Sequence, residues 1–429
     1  MASNTDLTLR NSVFYMVFVR NYSPEGTLNA VTADLDRIRA LGVDYLWLLP
    51  CQPIGKVHRK GSLGSPYAIS DYRAVNGELG TLDDFIRLTD ECHRRGMKVI
   101  LDIVYNHTSP DSLLAQTHPE WFYHKADGTL GNRVGEWWDV VDLDYSHREL
   151  WDYQIETLRY LAQYVDGFRC DVAPMVPLDF WKAAREAVEE VRPGAVWIAE
   201  SVDPAFIRYN RSRGVPTASD GELYQAFDVL YEYDSYPFWK SAMLGCAPLS
   251  AWVEAVNRQE GLFPENYIKL RNLENHDRPR AADLIVDQKA LENWTAYLYF
   301  AKGATLLYAG QEHAAQHHPT LFDRDSVNWD TGVDLTPLLQ KLYAIKKNPI
   351  FTDSSFTLSQ IGDCLYAVHE GRDGRRAVGF FSTTGRPCAI VSPLPEGRYR
   401  DELSGRQLDI FENVVTLDGN PVIVLINPD

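Results

Sequence analysis

Residues 98–107 read Lys-Val-Ile-Leu-Asp102-Ile-Val-Tyr-Asn106-His107, a run of β-forming apolar residues that ends in polar ones. Such a run fits a strand buried on both faces, and its polar end marks where the chain leaves the sheet. The pattern recurs at residues 13–19, 43–49, 165–171, 195–200, 223–230, 267–273 and 305–308, with stretches of helical period between them. Eight such runs alternating with helices over about 350 residues predict an α/β protein of the (β/α)8 (TIM) barrel type rather than an open doubly wound sheet. No Gly-x-Gly-x-x-Gly opens any of the helices, which argues further against a dinucleotide fold.

Two stretches break the alternation. Between the third run and a helix starting near His147 lie about 40 residues rich in Gly, Asp and aromatics, and a long ordered loop in a compact domain is usually functional. It is read as a small inserted domain, 107–146, within a catalytic barrel of residues 1–349. Beyond the helix ending near Lys347 the pattern turns to short alternating strands at 364–369, 377–381 and 422–426, which predicts a C-terminal antiparallel β-sandwich over 350–429.

Composition narrows the partners. With 42 Lys and Arg against 59 Asp and Glu, the net charge of −17 repels phosphate backbones and anionic lipid, so nucleic acid and membrane surfaces are disfavoured and neutral substrates favoured. The six cysteines show no Cys-x-x-Cys spacing and are expected to be reduced, buried thiols. The N-terminus has no basic region followed by an apolar one, so a cytoplasmic location is expected. No membrane span is expected, because the longest apolar stretch is interrupted by Lys302 and Gly303. Oligomeric state is left open.

In a (β/α)8 barrel the reacting groups sit at the C-terminal ends of the strands. Four ends supply them here: Asp102, Asn106 and His107; Arg169 and Asp171; Glu200; and Asn275, His276 and Asp277. A close carboxylate pair across a glycosidic bond performs double displacement, and Asp171 and Glu200 suit the two roles. Arg169, two residues before Asp171 on the same strand face, is expected to lower its pKa and fix its orientation. Burial and nearby negative charge would keep a proton on Glu200. Asp277 and His276 could stabilise charge on the sugar, while Asp102 and His107 hold hydroxyls or brace the arginine.

Together Asp102-Ile-Val-Tyr-Asn-His, Gly-Phe-Arg-Cys-Asp171, Ala-Glu200 and Glu-Asn-His-Asp277 resemble the four ordered motifs of the α-amylase family, glycoside hydrolase family 13. Residues 42–50, 65–72 and 303–312 are similar to further motifs of that family, so the resemblance spans the chain in order. It implies Asp171 as nucleophile, Glu200 as acid/base and Asp277 as the carboxylate that distorts the sugar and stabilises the transition state. It also implies sugar binding by Tyr67, Asp102, His107, Arg169, His276 and Arg280, with α-linked oligosaccharides or glucans as substrate and retention of configuration. Where many members carry Lys-His after the nucleophile, this chain runs Asp171-Val-Ala-Pro174-Met175. Asn106 and Asp142 match calcium positions of the family; no cofactor is required, and calcium is left open.

Other readings remain. The same covalent intermediate serves an α-glucan transglycosylase or isomerase. A non-catalytic glucan-binding barrel is disfavoured by the joint presence of Asp171, Glu200 and Asp277. Glu312 precedes His313, the reverse of a zincin helix, so residues 312–318 are read as an eighth-strand loop lining the mouth. Trp121, Phe122, Trp137 and Trp138 of the insert could stack on sugar rings or simply pack it.

Overall fold

A computed structural model describes residues 4–428. Eight parallel strands close into a barrel: β1 (Val13–Val17), β2 (Tyr45–Leu48), β3 (Lys98–Ile103), β4 (Gly167–Cys170), β5 (Val196–Ala199), β6 (Val229–Tyr231), β7 (Lys269–Arg271) and β8 (Ala304–Tyr308). β1 pairs with both β2 and β8, which completes the ring. The strands are buried almost throughout, as runs covered on both faces must be. Six of the predicted runs contain their strand, and the eighth, 305–308, starts one residue after β8 does. The sixth is displaced: Asp220–Leu223 is helical and only Val229–Tyr231 pairs, because Leu223, Ala226 and Phe227 are buried as the end of a helix and a turn.

Register sets the site. Asp102 on β3 lies beside Arg169 on β4, and Cys170 beside Ala199 on β5. The ladder runs one residue further, with Asp171 N donating to Ile103 O at 2.9 Å and Glu200 N to Cys170 O at 3.1 Å. Backbone pairing therefore pins both carboxylate-bearing residues at the barrel's C-terminal rim. Gly167 makes the approach of β4 to β5 possible, since a Cβ there would meet Val196 O at 2.2 Å.

The long connection after β3 opens and closes on one short ladder, His107 against Asp142 and Thr108 against Val141. Trp121 and Phe122 are buried within it. The helix that follows spans Arg148–Leu161, with His147 as its N-cap residue.

The C-terminal region is antiparallel. β9 (Ser355–Ile361), β10 (Cys364–Glu370), β11 (Arg376–Ser382) and β16 (Val422–Ile426) form one sheet; β12 (Cys388–Val391) pairs with β15 (Val414–Leu417), and β13 (Gly397–Arg400) with β14 (Gln407–Ile410). Its inner face joins the barrel core through Phe300, Phe351 and Phe381, stacked edge to face. Cys364 and Cys388 form a disulfide between β10 and β12, which corrects the expectation of six reduced thiols. The pairing depends on how the two sheets face each other, and no spacing rule could show it. Cys51, Cys92 and Cys170 are free and buried, whereas Cys246 is exposed. No described helix is long and apolar enough to cross a membrane.

Candidate active site

Arg169 is the hub of the barrel mouth. Fully buried, its Nη1 donates to Asp102 Oδ1 at 2.8 Å and Oδ2 at 3.1 Å, and to Asp171 Oδ1 at 2.9 Å. Its Nε donates to Tyr231 OH at 3.1 Å. Nη2 lies 3.0 Å from Glu200 Oε2 as an ion pair without hydrogen-bond alignment. Glu200 Oε2 instead accepts from Val172 N at 2.8 Å. Val172 adopts φ 41°, a left-handed conformation that a β-branched residue rarely takes. Strain of this kind persists only where the surroundings impose it. Here it turns the backbone N–H that follows Asp171 toward the Glu200 carboxyl.

A second set of contacts closes the rear. Tyr67 OH donates to Asp102 Oδ2 at 3.0 Å and sits 2.7 Å from His276 Nε2, with the two rings stacked at 5.5 Å. His276 Nε2 is 3.1 Å from Asp277 Oδ2. His107 Nε2 stands 3.8 Å from Asp171 Oδ2, and its Nδ1 is 3.1 Å from Asn106 Nδ2. Burial lowers both imidazoles, His107 to about 3 and His276 well below the usual histidine range, so both rings are neutral near pH 7.

The carboxyls titrate against one another. Burial, and next the charge of Glu200, pushes Asp171 well above the ordinary carboxylate range despite Arg169. The expectation that Arg169 would hold it low is therefore reversed in direction, because desolvation outweighs the guanidinium. Asp102 rises to about 7, again chiefly through burial.

Tyr67, His107, Asp171, Glu200 and Asp277 all border one cleft of about 650 Å³. Asp102 and Arg169 stand behind them, fully buried. Arg280 corrects the sequence reading. Its side chain is completely buried and donates to Glu274 Oε1 at 2.6 Å, Ala309 O at 3.0 Å and His317 O at 3.1 Å. It ties the loops after β7 and β8 together from below and does not reach the cleft. The start of the eighth-strand loop behaves likewise: Glu312 is buried and accepts from Tyr15 OH at 2.6 Å and Arg37 at 2.7 Å, while Leu321 and Phe322 do the lining.

A family model described as alpha amylase, catalytic domain, matches residues 3–127 and 121–351, and one described as bacterial alpha amylase C-terminal domain matches residues 359–424. The chain belongs to the α-amylase family. A crystal structure of an α-amylase from Lactobacillus plantarum superposes with a TM-score of 0.95 at 48% identity, covering 98% of this chain and 100% of that one. The α-amylase MalA of Haloarcula japonica is 28% identical over 89% of this chain and 55% of its own length. An α-1,4-glucan:maltose-1-phosphate maltosyltransferase of Rhodospirillum rubrum is 38% identical over 41% of this chain and 28% of its own. The chain thus spans about half, or less, of the curated relatives it matches.

The residues aligned with the calcium positions of the α-amylase family can be tested on their donor atoms. Asp142 Oδ1 is buried with no hydrogen-bond partner, and Leu143 N donates to Asn106 O, which sets Asn106 beside it. A bare carboxylate oxygen is the kind of donor a hard cation takes, but among the described residues no cluster of three or more His, Cys, Asp or Glu surrounds it. The Arg133 guanidinium, 3.4 Å from Asp142 Oδ2, already supplies one positive charge.

The sequence reading missed several groups that border the cleft, among them Lys60, Asp139, Phe206, Tyr233 and Arg278. Arg278 directly follows Asp277 and could have been found by extending that motif. Lys60 sits in a loop with no pattern to mark it. Of the four insert aromatics, Trp121 and Phe122 pack the insert, Trp137 lines the cleft and Trp138 is exposed at 54%.

Proposed function

We propose that this enzyme hydrolyses α-glucosidic bonds of malto-oligosaccharides and related α-glucans by double displacement, with retention of configuration. What supports the reading above all is that carboxyls from three strand ends meet in one cleft, two of them held by a single buried guanidinium. Arg169 occupies Oδ1 of Asp171, which leaves Oδ2 to attack the anomeric carbon. The Val172 N–H occupies Oε2 of Glu200, which leaves Oε1 to carry the proton. Asp171 attacks in its ionised form, and the Arg169 guanidinium 2.9 Å from its Oδ1 is the charge that favours that form. Attack by Asp171 breaks the bond from the anomeric carbon to the glycosidic oxygen, whose departing electron pair takes the Glu200 proton. Water then attacks the same carbon, gives its proton to Glu200 and releases Asp171. Asp277, with His276 and Tyr67 beside it, faces the hydroxyls of the sugar being distorted. Calcium bound by Asp142 and Asn106 would neutralise a buried charge and brace the insert, away from the reacting atoms.

Transfer to another sugar instead of water is the second reading, favoured by the maltosyltransferase names among the relatives. Chromatography of products from maltotriose with and without added maltose separates the two. The acid/base role has its own test. Glu200→Ala should still react with an aryl α-glycoside bearing a good leaving group, and azide should restore turnover as the α-glycosyl azide. No rescue, with the activated substrate as inert as the natural one, would remove Glu200 from that role.

A further inference from the structure

The cleft's two ends differ. One lies toward β5, where the helix that follows the strand, Pro204–Ser212, brings Phe206 to the cleft. In an eight-stranded ring the loops after β8 and β2 stand across the mouth from β5. Those two loops are joined to each other. Ser62 donates from N at 2.7 Å and Oγ at 2.6 Å to Asp323 Oδ1, and Leu63 N and Gly64 N donate to Phe322 O at 3.0 and 3.2 Å. The fit is close enough that a Cβ on Gly61, where φ is 62°, would meet Phe322 at 2.6 Å.

Lys60 then fastens the pair to the insert. Its Nζ lies 2.7 Å from Asp139 Oδ1, donates to Glu136 O at 3.4 Å, and stands over the rings of Trp138 at 5.2 Å and Phe322 at 5.9 Å. Asp139 is buried, so this ion pair is held more rigidly than a surface pair. Three loops from different parts of the chain thus meet at one ammonium group, two of them following the strands that flank β1, across the ring from β5.

Chemistry assigns a direction to that side. The acid protonates the oxygen of the departing chain, so the reducing-end portion leaves past Glu200 and the non-reducing portion of the substrate extends the other way. We propose that the Lys60–Asp139 latch closes the cleft beyond the bound non-reducing sugars, so that the enzyme acts from the non-reducing ends of α-glucans and releases short products. The proposal rests on the hydrolase reading above and adds to it the mode of attack.

The test compares p-nitrophenyl α-maltoheptaoside with the same compound blocked by a 4,6-O-ethylidene group on its non-reducing glucose, cleavage being followed by chromatography. The wild-type enzyme should cleave the blocked substrate at least about tenfold more slowly than the free one. Equal cleavage of both overturns the latch while leaving hydrolysis intact. Cleavage of neither overturns the hydrolase reading and the latch with it. Lys60→Ala and Asp139→Asn should each raise the blocked-to-free ratio several-fold, a quantity independent of how much folded enzyme a preparation contains. If neither variant moves a ratio that the wild type shows, the latch is not what closes the cleft.

Discussion

Two buried arginines, Arg169 on β4 and Arg271 on β7, each stand two residues from another charged group on the same strand face, yet they do different work. Arg271 donates to Glu232 Oε2 at 3.0 Å, Gln259 Oε1 at 2.7 Å and Lys302 O at 2.8 Å. Glu232 Oε1 is taken by Asn272 N at 2.8 Å. Lys269 beside it holds Asp220 at 2.5 Å and Asp234 at 2.9 Å. Around Arg169, by contrast, Asp171 and Glu200 each keep one oxygen facing the cleft. Burial and charge are common to both clusters; what separates them is an oxygen left without a protein donor beside a space that admits a substrate.

Substitution can break that comparison. Asp171→Asn should lower kcat by several orders of magnitude with little change in Tm, because it removes the proposed nucleophile at nearly constant volume while Arg169 keeps Asp102 and Glu200 as charge partners. A variant retaining a tenth of wild-type activity would take Asp171 out of that role. Glu232→Gln should do the reverse, leaving kcat near wild type and lowering Tm, since breaking a buried ion pair costs up to about 3–5 kcal/mol. If its kcat fell as far as that of Asp171→Asn, the division between the two clusters would collapse.

The smallest expected effect concerns Asp142. Burial raises its carboxyl from 3.8 to about 6, so the folded chain keeps a proton that the unfolded chain has lost. That stability is complete below the unfolded value and is lost as pH rises through the folded one. Calcium needs the ionised carboxylate, so its addition should raise Tm more at about pH 7.5 than at about pH 5. EDTA should leave activity in place and lower Tm at most. Complete inactivation reversed by calcium alone would show that the ion reaches the chemistry.

The strand-end residues were legible because a buried parallel strand is a conspicuous apolar run, and the polar residue that ends it has few other reasons to be there. Asp102, Arg169, Asp171, Glu200 and Asp277 all follow from that contrast. The sixth strand was misplaced because burial at Leu223 and Phe227 comes from a helix end, and apolarity alone does not distinguish the two. Arg280 differs for a related reason: a resemblance in sequence says nothing about which side of the loop a side chain takes. Lys60 left no trace, since its partners Asp139 and Phe322 meet it only after three loops have folded. The direction of the Asp171 shift could not be read either, because it depends on a burial that only the closed barrel supplies.

The Cys364–Cys388 bond encloses the turns at 371–375 and 383–387, which join β10 to β11 and β11 to β12. A protease that cuts either turn leaves both pieces covalently attached, and β11 keeps its ladder to β10 and β16. Nicked protein would migrate as an intact chain until a reductant is added, so damage in this region stays hidden from any assay run without one.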